Sequence, residues 1–225
     1  MGEKYELAQV RIPGEGSTLR LTKSQGIFTI WVDHSELMSS EIHASEDDLA
    51  TLVCGKLKHL PEASILIGGL GMGYTLAAAL RTLGPAGKVV VAELMPAVVE
   101  WNRGPLADLA GRPLEDPRVS VRVQDVAMSI QTGLAEFDGI LLDVDNGPEG
   151  LTRDSNNWLY GQDGIASAYT ALRPGGILAI WSSTPDRNFA MRLRKAGFEV
   201  EEKVVKASDD GLNERHTIFL ATNRA

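Results

Sequence analysis

The chain has 225 residues, 44% of them hydrophobic and 23% charged, which is ordinary globular composition and excludes disordered, fibrous and collagen-like classes. Its length suits one substantial core with at most a small appendage. The net charge of −8 repels a phosphate backbone, so nucleic acid is not an expected partner.

Met1 to Glu6 carry no apolar core of the kind a signal peptide needs, and no apolar run is long enough to span a bilayer. A cytoplasmic protein with no membrane partner is expected. Glu6–Ile12, Thr18–Leu21 and Ile27–Val32, separated by Pro13-Gly14-Glu15-Gly16 and Ser24-Gln25-Gly26, read as antiparallel strands joined by turns. Ser45, followed by Glu46, Asp47 and Asp48, reads as the cap of a helix that runs to about Leu60, just before Pro61. Cys54 lies among apolar residues of that helix, where a buried structural thiol is expected.

From Ser64 onward short apolar strands alternate with helices. The strands are Ile65–Ile67, Val89–Ala92, Val119–Val123, Ile140–Leu142 and Ile177–Trp181; the helices lie near Tyr74–Leu83, Pro96–Asn102, Val126–Leu134, Ile165–Leu172 and Arg187–Ala196. That alternation predicts a parallel sheet covered on both faces. Two late strands, Phe198–Val205 and His216–Ala221, have only a turn between them, at Ala207–Asn213, and so form an antiparallel edge hairpin. The expected fold is α/β, a Rossmann-like class I methyltransferase fold. It has a mostly parallel seven-stranded sheet in residues 45–225, preceded by a small antiparallel β domain in residues 1–44.

Strand Ile65–Ile67 runs into Gly68-Gly69-Leu70-Gly71-Met72-Gly73 and then an Ala-rich helix. Glycines here let the backbone turn sharply and approach a ligand. The spacing of Gly69, Gly71 and Gly73 departs from the dinucleotide pattern, and a plain strand-to-helix turn remains the alternative. The next strand ends on Glu93, about twenty residues further on, where a carboxylate can accept both hydroxyls of a ribose. Asp125 follows the third strand at the start of a helix; it can accept from an adenine amino group, cap the helix, or do both. Together the three elements point to a nucleoside site.

The fourth strand ends in Asp143-Val144-Asp145-Asn146-Gly147-Pro148. Asp143 leaves an apolar strand at the ligand edge of the sheet, where an unpaired carboxylate is costly unless a cation meets it. Asp145 is a second catalytic candidate or a simple Asx-turn residue. At this point the chain resembles the spermidine synthase family: the small β domain ahead of the Rossmann-like domain, the Gly-Gly-rich loop, Glu93, Asp125, the Asp143 loop, and Leu159-Tyr160 ahead of the helix leading to Arg173-Pro174-Gly175-Gly176. The resemblance implies ribose and adenine contacts at Glu93 and Asp125, a catalytic acid at Asp143, and decarboxylated S-adenosylmethionine as the nucleoside.

Several family acids are replaced. Gly71 stands where the family's glycine loop carries the Asp that meets the aminopropyl amine; Asn146 stands where the second catalytic-loop acid would be; and Ile42-His43-Ala44-Ser45-Glu46 replaces a Tyr-x-Glu-like segment. Fewer acids leave less charge complement for a polyamine. The expectation is therefore methyl transfer from ordinary S-adenosylmethionine to a small-molecule acceptor. The alternatives are aminopropyl transfer and, from another class, a nucleoside-binding protein without catalysis.

Asn146, Trp158, Tyr160 and His43 are the candidate walls of the acceptor site. His34, His43, His59 and His216 are scattered and Cys54 is the single cysteine, so no metal is expected. Unpaired strand edges in the N-terminal hairpins, with the family resemblance, suggest a homodimer.

Overall fold

In the computed structural model, which describes residues 4–13, 16–144, 157–208 and 214–224, alternate residues of the first strands turn inward. β1 (Lys4–Arg11), β2 (Thr18–Ser24), β3 (Ile27–Val32) and β4 (Ser35–Ser39) pair antiparallel in the order β1-β2-β3-β4. Leu19, Leu21, Phe28 and Ile30 are buried. The fourth strand was not legible in the sequence: its burial pattern is mostly exposed, so Ser35–Ser39 carries no apolar alternation.

Helix α1 (Ala44–Lys56) begins two residues earlier than expected, with His43 at the N-cap position making no side-chain cap bond. Ser45 is not the cap. Its hydroxyl donates instead to Glu46 Oε2, because both residues are drawn into the interior and have partners there.

The remaining elements are β5 (Ser64–Gly68), α2 (Tyr74–Thr82), β6 (Lys88–Glu93), α3 (Pro96–Arg103), β7 (Val119–Val123), α4 (Val126–Thr132) and β8 (Phe137–Leu142), then α5 (Asn157–Tyr160), α6 (Gln162–Ala171), β9 (Leu172–Ser182), α7 (Arg187–Lys195), β10 (Phe198–Lys206) and β11 (Arg215–Asn223). They form a seven-stranded sheet in the order β10-β11-β9-β8-β5-β6-β7. β5 to β9 pair parallel, and β11 lies antiparallel between β9 and β10. This is the expected mostly parallel sheet with an antiparallel strand pair at one edge.

Period-2 alternation sends Ile65, Ile67 and Leu141 to one face and Leu66, Ile140 and Leu142 to the other. The first face packs against α1, α2 and α3, and its cluster extends to Leu19, Leu21, Phe28 and Ile30 of the small sheet. The second packs against α4, α6 and α7. The small sheet therefore shares a core with one face of the large one and stands over the carboxyl ends of β5, β6 and β8. No helix among the described residues is long and apolar enough to cross a membrane.

Candidate functional site

The carboxyl ends of β5, β6 and β8 open into a cavity of about 600 Å³ whose wall includes Gly69, Gly71, Glu93, Asp125 and Asp143. Strand β5 delivers the chain into the turn, where Gly69 and Gly71 both take positive φ. Gly73 has positive φ at the N-cap of α2. A Cβ on Gly73 would meet Asn102 Oδ1 at 3.0 Å, so this glycine allows close packing against α3.

Glu93 is buried at the end of β6. Its Oε2 accepts from the Leu70 N–H (2.8 Å) and its Oε1 from the Met95 N–H (2.7 Å). Burial pushes its carboxyl up and these backbone donors oppose the shift. The carboxylate therefore fixes the glycine loop, and each oxygen keeps a further lone pair. Glu93→Gln can accept only one of the two N–H groups, so its affinity for methylthioadenosine should fall by about 1–3 kcal/mol, or roughly 5- to 150-fold. Calorimetry measures this; an unchanged dissociation constant removes Glu93 from the site.

Asp125 caps α4, its Oδ1 accepting from the Ala127 N–H at 2.8 Å, and it also lines the cavity. The cap is thus formed, and the same residue faces the cavity.

Asp143 follows β8, and its Oδ2 accepts from the Thr75 hydroxyl of α2 at 2.7 Å. Burial raises its pKa and the Thr75 hydrogen bond partly counters this. Glu46, in the first turn of α1, lines the same cavity. Burial, then the field of Asp143, push the Glu46 carboxyl up to about 8, against the hydrogen bond from Ser45; Asp47 adds a smaller upward push. Two carboxyl groups that repel each other in a poorly solvated cavity retain a proton between them near neutral pH.

Neither Glu46 nor Thr75 was singled out from the sequence. The only signal for Glu46 in the sequence is its place in the segment Ile42–Glu46 that replaces a family acid motif. Gly71 gives the counterpart. A Cβ there would meet the Met38 thioether of β4 at 3.0 and 3.1 Å, so the space of the absent loop acid is filled by a side chain from the unforeseen strand.

The other candidates lie elsewhere. His43 stacks on Tyr74 (centroids 3.9 Å apart, 10° between planes), with Nδ1 2.9 Å from Asp47 Oδ2, and is not in the cavity wall. Tyr160 is buried with its hydroxyl donating to the Val144 carbonyl at 2.8 Å, and Trp158 packs against the second-face core; neither lines the cavity. Tyr160 thus anchors the strand exit next to Asp143. Asp145 and Asn146 lie outside the described residues. The small sheet and the segment after it instead give the wall Ile30, Leu37, Met38 and Ile42, with the acid Glu36 among them, while Trp181, Glu214 and His216 come from the late strands and their approach.

Glu46 also makes the site sensitive to pH. A carboxyl whose pKa is raised on folding holds its proton more tightly in the folded state. Its contribution to stability is full below the unfolded value of 4.5 and is lost as pH rises through about 8. Glu46→Gln removes that titration. The ligand-free variant should match the wild type near pH 5 and exceed it near pH 9 by about 1–3 kcal/mol, seen as a higher Tm. Parallel melting curves across that range would show the group to be solvated.

Comparison with known proteins places this geometry. The spermine/spermidine synthase domain model matches residues 43–192. A polyamine aminopropyltransferase of Mycobacterium tuberculosis is 35% identical over 127 residues, covering 54% of this chain and 23% of that protein. The polyamine aminopropyltransferase of Korarchaeum cryptofilum is 26% identical over 122 residues, covering 54% of this chain and 36% of that protein. The chain therefore spans well under half the length of these curated relatives. Spermidine synthase of Thermotoga maritima superposes with a TM-score of 0.77 at 16% identity, covering 97% of this chain and 72% of that one. A spermidine synthase bound to the transition-state analogue AdoDATO gives 0.76 at 16% identity, with the same coverages. At that identity the likeness concerns the fold.

These relatives overturn the expectation of methyl transfer from ordinary S-adenosylmethionine: the matching domain and the curated relatives are those of aminopropyltransferases. Two loops that lack acids do not leave the cavity without them, because Glu46 reaches it from a helix.

Proposed function

This chain belongs to the spermine/spermidine synthase domain family, and from that premise we propose that it is a polyamine aminopropyltransferase using decarboxylated S-adenosylmethionine. The observation that carries the reading is the Glu46–Asp143 pair, two carboxyls in one cavity wall beside the glycine loop. A methyl acceptor makes no general demand for such a pair. An ammonium group, on donor or acceptor, relieves the repulsion within it.

In this reading Glu93 holds the ribose hydroxyls with its free lone pairs and Asp125 faces the adenine. Asp143, held by Thr75, orients the acceptor nitrogen and takes its proton. Residues 45–225 form the donor wall, and residues 1–44 the apolar wall along which the methylene chain of the acceptor lies. The sulfonium is already a good leaving group, so holding the amine lone pair in line with the reacting carbon supplies most of the acceleration.

The test is incubation with decarboxylated S-adenosylmethionine and a panel of diamines and longer amines, following methylthioadenosine release. Release that depends on an amine is expected, with ordinary S-adenosylmethionine giving neither methylthioadenosine nor S-adenosylhomocysteine. Turnover with ordinary S-adenosylmethionine alone would defeat the reading.

The proposal includes a homodimer. β1 is an edge strand of the small sheet, and Tyr5 and Leu7 on it are 55% and 43% exposed, apolar surface that a second copy would cover. A dimeric mass by light scattering at micromolar concentration is expected, and a monomeric one argues against it.

A further inference from the structure

We propose that Ser45 and His216 form the route by which the proton of each turnover leaves the Glu46–Asp143 pair for solvent; the proposal rests on the aminopropyl-transfer reading above. The side chains form a chain of contacts. Ser45 Oγ donates to Glu46 Oε2 at 2.6 Å, and His216 Nδ1 lies 3.0 Å from Ser45 Oγ. On the other side of the ring, His216 Nε2 lies 3.9 Å from Oε1 of Glu214, whose side chain is 60% exposed. Ser45, Glu46 and His216 are all buried. Helix α1 supplies the first two and β11 the third. The Ala44 N–H donates to the Ala207 carbonyl at 3.1 Å, fastening the start of α1 to the segment just after β10.

The chemistry requires such an outlet. The acceptor amine reaches the site as an ammonium and must lose a proton before it can attack. Its nitrogen then bonds to the propyl carbon attached to sulfur; the carbon–sulfur bond breaks, and the electron pair returns to sulfur to give neutral methylthioadenosine. The product is a secondary ammonium, and one proton is released per turnover. Asp143 takes that proton and the pair holds it. Once Glu46 is protonated its carboxyl becomes the donor to Ser45 Oγ and the Ser45 hydroxyl turns from Glu46 to His216 Nδ1; Glu46 then passes a proton to Ser45 Oγ as the Ser45 hydroxyl proton moves to Nδ1, and Nε2 releases its proton toward Glu214 and water.

The surroundings fit transfer rather than storage. Burial lowers the pKa of His216, and Glu214 opposes this only in part, so the imidazolium gives up its proton readily. Around Glu46 stand Asp143 and, on its own helix, Asp47, both raising it, with Tyr74 of α2 near enough for its own pKa to be raised by burial and then by Asp47 and Glu46. Trp181 meets the His216 ring edge-on, with centroids 4.5 Å apart, and limits its rotation. Among the described residues no cationic side chain raises or lowers the Glu46 or Asp143 pKa, so none of these residues neutralises the proton-free pair in place of substrate.

The experiment compares His216→Ala, His216→Gln and Ser45→Ala with the wild type. Each variant should lower kcat roughly tenfold or more near neutral pH, with KM for both substrates within about twofold, as expected for a lost proton carrier rather than a lost substrate contact. Added imidazole should restore kcat of His216→Ala in proportion to its concentration and should leave Ser45→Ala unrestored. An unchanged kcat in folded His216→Ala, or a loss that imidazole does not touch, overturns the proposal. A second measurement needs no activity. In ¹⁵N-imidazole NMR of the ligand-free protein, the His216 titration should carry a second inflection from Glu46 that disappears in Ser45→Ala and in Glu46→Gln. A titration curve indifferent to both changes overturns the proposal whatever the enzyme transfers. Coupling retained in a protein that transfers no aminopropyl group removes the functional reading and leaves the proton route standing.

Discussion

Asp143→Asn should lower turnover by roughly 10²- to 10⁴-fold, the range for a positioned general base, while keeping the fold and most of the nucleoside affinity. Asparagine retains the shape and an oxygen for the Thr75 hydroxyl, but it cannot take a proton from the acceptor. The substitution also removes a buried carboxyl whose pKa is raised by desolvation, so stability at neutral pH should hold or rise. That combination separates two roles. If Asp143 were only a loop cap, the change would cost about 1 kcal/mol of stability and leave turnover untouched. The pH profile gives a further check: a base with a raised pKa works only once deprotonated, so wild-type kcat should climb with pH and the variant should lose that limb. Methylthioadenosine release under saturating donor and amine is the measurement, and wild-type turnover in the folded variant would remove Asp143 from catalysis.

A large loss of stability should come from Gly69→Ala. At φ +86 a Cβ would lie 2.5 Å from the Asp143 carbonyl oxygen and 3.3 Å from Val144 Cγ1. The left-handed conformation costs a non-glycine residue about 1–2 kcal/mol, and the clash with backbone adds about 1–3 more. A total of about 2–5 kcal/mol should lower Tm by roughly 5–15 °C. Relief of the clash requires Asp143 to move, so surviving folded protein should also lose turnover. Gly111→Ala is the control: φ is +76 there with nothing within 4 Å of the added carbon, so strain acts alone. Equal melting shifts for the two variants would mean that the Gly69–Asp143 approach is not tight.

The two experiments concern the one place where three parallel strands end together. The Asp143 N–H donates to the Gly68 carbonyl at 3.0 Å and the Gly69 N–H to the Ala92 carbonyl at 2.9 Å, so the glycine loop, the end of β6 and the acid after β8 move as one unit. Side chains fixed in this way hold a near-attack geometry without reorganising at the moment of reaction.

What the sequence determined by itself was the sheet and the strand-end residues that line the cavity. Apolar strands of five or six residues alternating with helices specify a parallel sheet through short-range periodicity. Gly69, Glu93, Asp125 and Asp143 each sit at the end of such a strand, so their order along the chain carries their place in space. The tertiary structure decided which further acid and which side chains of the small sheet join the cavity wall. β4 carries little alternation, yet it brings Met38 against Gly71. Ser45 looked like a helix cap because capping is a local rule, but its partners are Glu46 beside it and His216, 171 residues away. Trp158, Tyr160 and His43, chosen for nearness in sequence or residue type, found partners in packing instead. The physical reason is that a hydrogen bond or a shared proton depends on distance in space, and a local pattern reports that distance only for residues on the same element or at the ends of paired strands.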